Sequence, residues 1–417
     1  MLTTSVLRII MTRSLKPFVF SLELPTDPEV KSNNDLGLYL HMPFCRSLCS
    51  FCPYCKVLYD KALALEYGRA MRKEIAMEGE KTKGKRNITS IYLGGGTPAL
   101  MLDQLDLILE TISMHFNVDG KIGIELHPKD ITIQNIDKIK SLGINMASVG
   151  VQSFDKASLA NLGRTIDDTE KRLDIIKKAD FKVLDMDLIF AIPGQSEKSL
   201  IKDVETCFKL GATQVSTYPF IDFSYADNKY KPPGQRTKKR LLEAISKYCS
   251  ENNLDRKSVW TFAIKNSEKY SSITRNQFIG FGVSAASLNR SCFKINTFSI
   301  PDYIDKLENN LEPTSLKIDM NLRQKASYYL FWAAYSLTVD KEDFEKNIGV
   351  PIERLYKNEI KILKALGIIE EEADVYSLTE KGAYIFHRIE QHYTRAYIDK
   401  MWKLSISEAF PSRLVLK

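Results

Sequence analysis

The sequence predicts an α/β chain: a partial (β/α)6 TIM-like barrel with a C-terminal winged-helix-like α+β cap. Three observations predict it. Six short apolar runs of β type recur between residues 37 and 220. Amphipathic helical stretches lie between them, and an alternation of that kind means a parallel sheet, two units short of a closed eightfold barrel. Every conspicuous polar or glycine-rich feature falls at the carboxyl end of a run, where parallel α/β sheets place their chemistry. The expected organisation is an N-terminal arm (1–34), a core with its extension (35–312) and the cap (313–417).

The arm carries Pro17, Pro25 and Pro28 and little periodicity. Arg8, Arg13 and Lys16 precede the first acidic residue, Glu23, among Ser and Thr; that admits a transit peptide, with an ordinary arm preferred. The β-type runs are Gly37–Met42, Ser90–Gly94, Gly123–Leu126, Asn145–Val151, Val183–Phe190 and Gln214–Phe220. The helical stretches are Leu63–Glu80, Leu102–Met114, Thr132–Leu142, Asp167–Ala179 and Ser196–Leu210; in the last, Leu200, Val204, Cys207 and Phe208 share one face. Tyr225–Gly234, with Pro232-Pro233, reads as a loop or lid. A helix (Lys238–Ser250), a β-like run (Val259–Ile264) and a small-residue loop (Gly280–Ser287) follow. The cap reads as helices Leu322–Ser336, Lys341–Asn347 and Ile352–Leu366, a hairpin within Gly367–Leu378 and a helix Glu380–Trp402. That order is winged-helix-like, but the third helix mixes Arg354, Lys357, Lys361 and Lys364 with Glu353 and Glu359, so a lid over the barrel mouth is expected rather than a DNA reader.

A net charge of +7 over 417 residues does not argue for a nucleic-acid partner. No apolar run approaches the roughly 20 residues of a membrane span. A cytoplasmic, monomeric chain acting on a small molecule is expected.

Four of the seven cysteines lie between Cys45 and Cys55, directly after the first run. Cys45, Cys49 and Cys52 are spaced C-x3-C-x2-C, short enough for one loop to present three thiolates to a metal centre without long-range closure. Three soft ligands suit a [4Fe–4S] cube with one iron open. Tetrahedral zinc would want two pairs of ligands or a late His, and no C-x2-C or H-x3-H partner lies downstream; Cys207, Cys249 and Cys292 are scattered singly, against disulfides. Gly94-Gly95-Gly96-Thr97-Pro98 ends the second run. It is either a tight turn or a surface that a ligand approaches closely, and no Walker lysine follows to favour phosphate. Glu125 and Asp187 end or line later runs, with Arg164 nearby. Singly each reads as structural; together they suit ribose hydroxyls, an α-amino group and a carboxylate. His41 and His127 read as satisfying local backbone groups rather than as ligands.

These motifs resemble the radical S-adenosylmethionine superfamily and, within it, the oxygen-independent coproporphyrinogen III oxidase family, from about Tyr39 to Leu378. The residues that carry the resemblance are Tyr39-Leu40-His41-Met42-Pro43-Phe44-Cys45, the C-x3-C-x2-C with Phe51, GGGTP at 94–98, Gly150-Val151-Gln152-Ser153-Phe154, Leu162-Gly163-Arg164, and Asp187-Leu188-Ile189 with Pro193-Gly194-Gln195. The resemblance implies that Cys45, Cys49 and Cys52 hold the cluster and that S-adenosylmethionine chelates its open iron. Reductive cleavage would then give a 5′-deoxyadenosyl radical that abstracts hydrogen from a tetrapyrrole-type substrate. Tyr39, Gly95, Glu125 and Ala286 would line the first S-adenosylmethionine. Phe51, Gly96, Thr97, Gln152, Arg164, Asp187 and Ile221 match positions that line a second, and Tyr218 an aromatic wall. A reductant such as flavodoxin or ferredoxin is implied. Relatives decarboxylate coproporphyrinogen III, traffic heme without oxidase activity, transfer methyl or methylene groups, or open the heme ring. The loop at 282–287 and Glu125–Ile131 look like the oxidase version. Cys55, three residues after Cys52, and the 38 residues before Tyr39 depart from it.

Overall fold

The computed structural model describes residues 2–22, 36–164, 168–226, 228–268, 276–289 and 291–417. The chain opens with α1 (Leu2–Thr12) and β1 (Phe18–Ser21). Next, β2 (Leu36–Met42) runs through the two-residue strands β3 (Phe44–Cys45) and β4 (Val57–Leu58) into α2 (Lys61–Glu80). Strand and helix then alternate: β5 (Arg86–Gly95), α3 (Leu102–His115), β6 (Phe116–Leu126), α4 (Ile133–Ser141) and β7 (Met146–Gln152), followed by α5 (Lys156–Asn161) and α6 (Thr169–Lys178). The alternation continues with β8 (Val183–Phe190), α7 (Glu197–Lys209), β9 (Gln214–Pro219) and α8 (Gln235–Glu251). Short strands follow: β10 (Leu254–Arg256), β11 (Thr261–Ile264), β12 (Phe278–Phe281), β13 (Ala286–Asn289) and β14 (Cys292–Asn296), with α9 (Ile300–Glu308) before β15 (Thr314–Asp319). The last part is α10 (Leu322–Tyr335), β16 (Thr338–Asp340), α11 (Lys341–Ile348), α12 (Ile352–Ala365), β17 (Ile369–Glu372), β18 (Val375–Leu378), α13 (Glu380–Tyr393), a π-helical turn (Thr394–Ile398), α14 (Asp399–Ser407) and β19 (Arg413–Leu416).

A twelve-stranded mixed sheet is ordered β10-β11-β9-β8-β7-β6-β5-β2-β12-β13-β14-β15. From β9 to β12 the neighbours are parallel, and both flanks are antiparallel. Parallel strands are covered on both faces, which is why β2 (LGLYLHM) is buried at six of its seven positions and reads as a nearly continuous apolar run. Polar exceptions therefore point somewhere specific. In β8 (VLDMDLIF), Asp185 and Asp187 share one face while Leu184, Met186 and Leu188 share the other. Side-chain caps start the outer helices: Asp60 accepts from Leu63 N, Thr132 from Asn135 N, and Ser196 closes a capping box with Ser199.

Several expectations are corrected. Gly280–Ser287 is not simply a loop: β12 lies parallel to β2, and the turn is confined to the residues before β13. Four residues with a central glycine are too short to show strand periodicity. The sheet continues through β15, past residue 312. The final helix is interrupted by the π-helical turn and runs on to Ser407. α5 has no counterpart in the expected elements, and Asp167, the expected start of a helix, lies outside the described residues, as do 23–34 of the arm. The described part of that arm is integrated: α1 packs against α10 and α13, and β1 pairs antiparallel with β19, Phe18 opposite Leu416.

Candidate active site

The carboxyl ends of β2 and β5–β9 open into one cavity of about 1240 Å3. Every residue singled out from the sequence lines it: Tyr39, Cys45, Cys49, Phe51, Cys52, Gly95, Gly96, Thr97, Glu125, Gln152, Arg164, Asp187, Tyr218, Ile221 and Ala286. Its opposite wall comes from α1, α10, α13 and α14.

The cysteine loop is built onto the glycine-rich loop. Gly96 N–H donates to Met42 O (2.7 Å) and Thr97 N–H to Phe44 O (2.8 Å). A Cβ on Gly96 would stand 2.6 Å from that Phe44 oxygen, and Gly95 has φ +111° with the His41 ring 2.7 Å from where its Cβ would be. Gly96 is thus demanded by backbone approach, and Gly95 by its positive φ and the His41 ring. Arg46 anchors the loop to the far side of the rim through the buried Asp130 (Nε–Oδ1 2.8 Å). Tyr225 donates to Pro53 O (3.1 Å), which ties the proline-rich segment to the loop.

Cys45, Cys49 and Cys52 are free and half-buried. Among the described residues no three His, Cys, Asp or Glu side chains converge as tightly as one ion needs; a four-iron cube takes its thiolates at wider spacing. Cys55 is already engaged: its thiol donates to Phe298 O (3.4 Å), and it packs against the apolar cluster around Phe298. Three thiols therefore remain, and the donor set fits a cube with one iron open. Burial pushes the Cys45 thiol up to about 11 and raises Cys52 as well, so loading a metal here releases protons.

Arg164 spans the loop and the sheet. Its guanidinium donates to Gly150 O (2.6 Å) and to Cys49 Sγ (3.4 Å) and lies over the Phe51 ring (5.4 Å). Gln152 sits at a register shift between β7 and β8 with φ +71°. A non-glycine residue held in the left-handed region is strained, a pattern that clusters at ligand sites. Glu125 accepts from Tyr92 OH (2.8 Å) and Gly95 N–H (3.0 Å), and burial raises its pKa. Asp187 accepts from Ser148 OH (2.7 Å); burial and then Asp185 hold its carboxyl well up.

His41 bridges Tyr39 OH and Cys55 O, both at 2.9 Å, and burial lowers its pKa to about 4. The neutral ring donates through Nε2 and accepts at Nδ1. His127 accepts from Lys129 N–H (3.1 Å). Both satisfy local groups.

Sequence reasoning missed Tyr92, Ser148 and Asp185. Asp185 accepts from Gln214 and Ser216 (2.7 and 2.8 Å), and its Oδ1 has no partner. Its position two residues before Asp187 was the available signal. Also missed was the aromatic wall: Tyr328, Phe331, Trp332, Tyr335, Tyr393, Tyr397 and Trp402. Aromatic residues on helices look like ordinary core.

Residues 39–207 match the family model for the radical SAM superfamily. The chain is 23% identical over 373 residues to the heme chaperone HemW of Bacillus subtilis, covering 84% of this chain and 97% of that protein. It is 23% identical over 383 residues to the oxygen-independent coproporphyrinogen III oxidase of Helicobacter pylori, covering 85% and 83%. The structure of coproporphyrinogen III oxidase (HemN) from Escherichia coli superposes with a TM-score of 0.76 at 21% identity, over 91% of this chain and 95% of that one. Among the described residues no helix is long and apolar enough to cross a membrane.

Proposed function

Because this chain carries a radical SAM domain, whose cofactors are a [4Fe–4S] cluster and S-adenosylmethionine, we propose that it is an enzyme acting on a tetrapyrrole-type substrate, by oxidative decarboxylation of coproporphyrinogen III or closely related porphyrin chemistry. The observation that carries this reading is the joining of the three-thiol loop and an aromatic chamber in one cavity of about 1240 Å3, larger than the roughly 300–1,000 Å3 of ordinary small-molecule pockets. Cys45, Cys49 and Cys52 hold the cluster. When bound, cluster and S-adenosylmethionine together supply a 5′-deoxyadenosyl radical able to abstract a substrate hydrogen. Glu125, with Tyr39, Gly95 and Ala286 around it, receives the polar end of the first S-adenosylmethionine. Phe51, Gly96, Thr97, Gln152, Arg164, Asp187 and Ile221 border the space for a second, and Tyr218 forms the wall between that space and the chamber. Arg164 fixes Cys49 against Gly150 and keeps positive charge beside the sulfur. The fold reading that goes with this is a partial barrel of six units under a winged-helix-like cap. The electron comes from outside, from a flavodoxin or ferredoxin.

The likeness to proteins named heme chaperone supports a second reading, a cluster protein that carries heme without turning over porphyrinogen. Anaerobic reaction of the reconstituted protein with reductant, S-adenosylmethionine and coproporphyrinogen III, read by mass spectrometry, separates the two. Loss of carbon dioxide units with 5′-deoxyadenosine is the expected result. S-adenosylhomocysteine beside 5′-deoxyadenosine would move the reading to methyl transfer. Neither nucleoside, from a protein with an intact cluster, would overturn the enzyme reading in favour of trafficking.

A further inference from the structure

The first helix turns a polar stripe inward, beside Leu7 and Met11. Thr4, Arg8 and Thr12, spaced four apart and so on one stripe of α1, are buried (7, 8 and 5% exposed), whereas Val6 and Ile10 are 47 and 45% exposed. A surface helix normally turns its apolar stripe inward. Here the inward stripe is polar, and all three of its residues line the chamber.

Their bonding is incomplete. Thr12 OH is satisfied within the helix, donating to Arg8 O (2.8 Å). Arg8 Nη1 donates to the carbonyls of Ser14 and Lys16, but Nε has no partner, and among the described residues no carboxylate lies within ion-pair reach of it. The hydroxyl of Thr4 also has none, and the Tyr397 oxygen meets only the Arg8 side chain, which leaves its own O–H without an acceptor. Tyr397 is 4% exposed and lies beside Arg8. It belongs to the π-helical turn between α13 and α14, a rare irregularity found often at functional positions. A buried cation facing two open hydroxyls carries an unpaid desolvation cost unless an anion meets it.

We propose that Arg8, Thr4 and Tyr397 form a binding site for a carboxylate of the molecule that fills the chamber, a proposal that rests on the tetrapyrrole reading of that chamber. A carboxylate matches the planar guanidinium and can accept from both hydroxyls. The surrounding wall is aromatic (Phe18, Tyr328, Phe331 and Tyr393), so the anion is a substituent on a largely apolar ligand rather than a free ion. Glu390, about two turns before Tyr397, has an Oε2 without partner on the same wall. Burial lifts its carboxyl to about 7, so its acid form can approach the ligand without repulsion.

The test is equilibrium binding of coproporphyrin III and of its tetramethyl ester to the cluster-loaded protein, followed by porphyrin fluorescence. The wild-type chain is expected to prefer the free acid. Arg8→Gln should weaken binding of the acid by roughly tenfold or more and leave the ester unchanged. Tyr397→Phe should shift the same ratio in the same direction, and it keeps Arg8 bonded to Ser14 and Lys16, so loss of the local fold does not mimic the effect. Equal affinity for acid and ester in the wild type, or a preference that survives in both variants, overturns the carboxylate site and leaves the chamber reading standing. Binding of neither porphyrin overturns that reading and the site with it.

Discussion

At the scale of single residues, the thiols divide by what they touch. All four line the cavity, but the Cys55 thiol is tied up by donating to Phe298 O. Cys55→Ser should therefore retain full iron and sulfide per chain, and each of the other three serine variants should lose the cluster; iron and sulfide assay of the reconstituted proteins checks this. Asp203, 2% exposed, accepts from Ser153 OH (2.6 Å) and Phe154 N–H (2.9 Å) and so holds the turn that follows Gln152. Burial raises its carboxyl to about 6. A raised folded-state pKa makes the folded chain bind the proton more tightly, so this stability is complete below the unfolded value and is lost as pH rises through about 6. Urea unfolding at about pH 5 and pH 7 should show the wild type weaker at the higher pH and Asp203→Asn less so, by up to about 1.4 kcal/mol. Glu74, Asp185 and Glu390 are shifted the same way by burial, so part of the slope survives in the variant. The cysteines were legible because their spacing is local. Asp185 was legible in principle from its alternation with Asp187. Tyr397 was not, since nothing in its neighbourhood separates an inward aromatic from a core one.

At the scale of elements, the parallel strands were readable because burial on both faces writes itself as an unbroken apolar run. β12 to β15 were not: β12 is four residues with a central glycine, and β13 to β15 are short runs mixed with polar residues on the antiparallel flank. The glycine-rich loop carries both of the alternatives its sequence posed. It is a tight turn, and its tightness is what docks it on the cysteine loop. Gly96→Ala would drive a methyl against Phe44 O at 2.6 Å. The expected outcome is a chain that loads well under its full cluster content and loses a few kcal/mol of stability, on the scale of overpacking; reconstitution and thermal unfolding measure the two. The same small loop at Gly282–Ala285 is held from below: Glu74 accepts from Gly282 N–H (2.8 Å), Asn296 (2.6 Å) and Tyr303 OH (2.6 Å). A sequence cannot show that a glutamate on α2 will meet a turn some two hundred residues away.

At the scale of the whole molecule, the cavity is closed by opposite ends of the chain. α1 and the last helices form one wall, and the antiparallel pairing of β1 with β19 fastens it. Deleting residues 1–22 should leave the twelve-stranded sheet folded while uncovering the chamber; porphyrin binding should fall by about tenfold or more and β19 should become a protease site, read by titration and limited digestion. That pairing also sets a calendar. The thiol loop leaves the ribosome early, but β1 has no strand to join until Arg413–Leu416 has been made, so the roof closes long after the loop exists. Until that strand is made, the place where a cluster belongs stands open to whatever delivers iron and sulfur, and the pairing of β1 with β19 shuts it in.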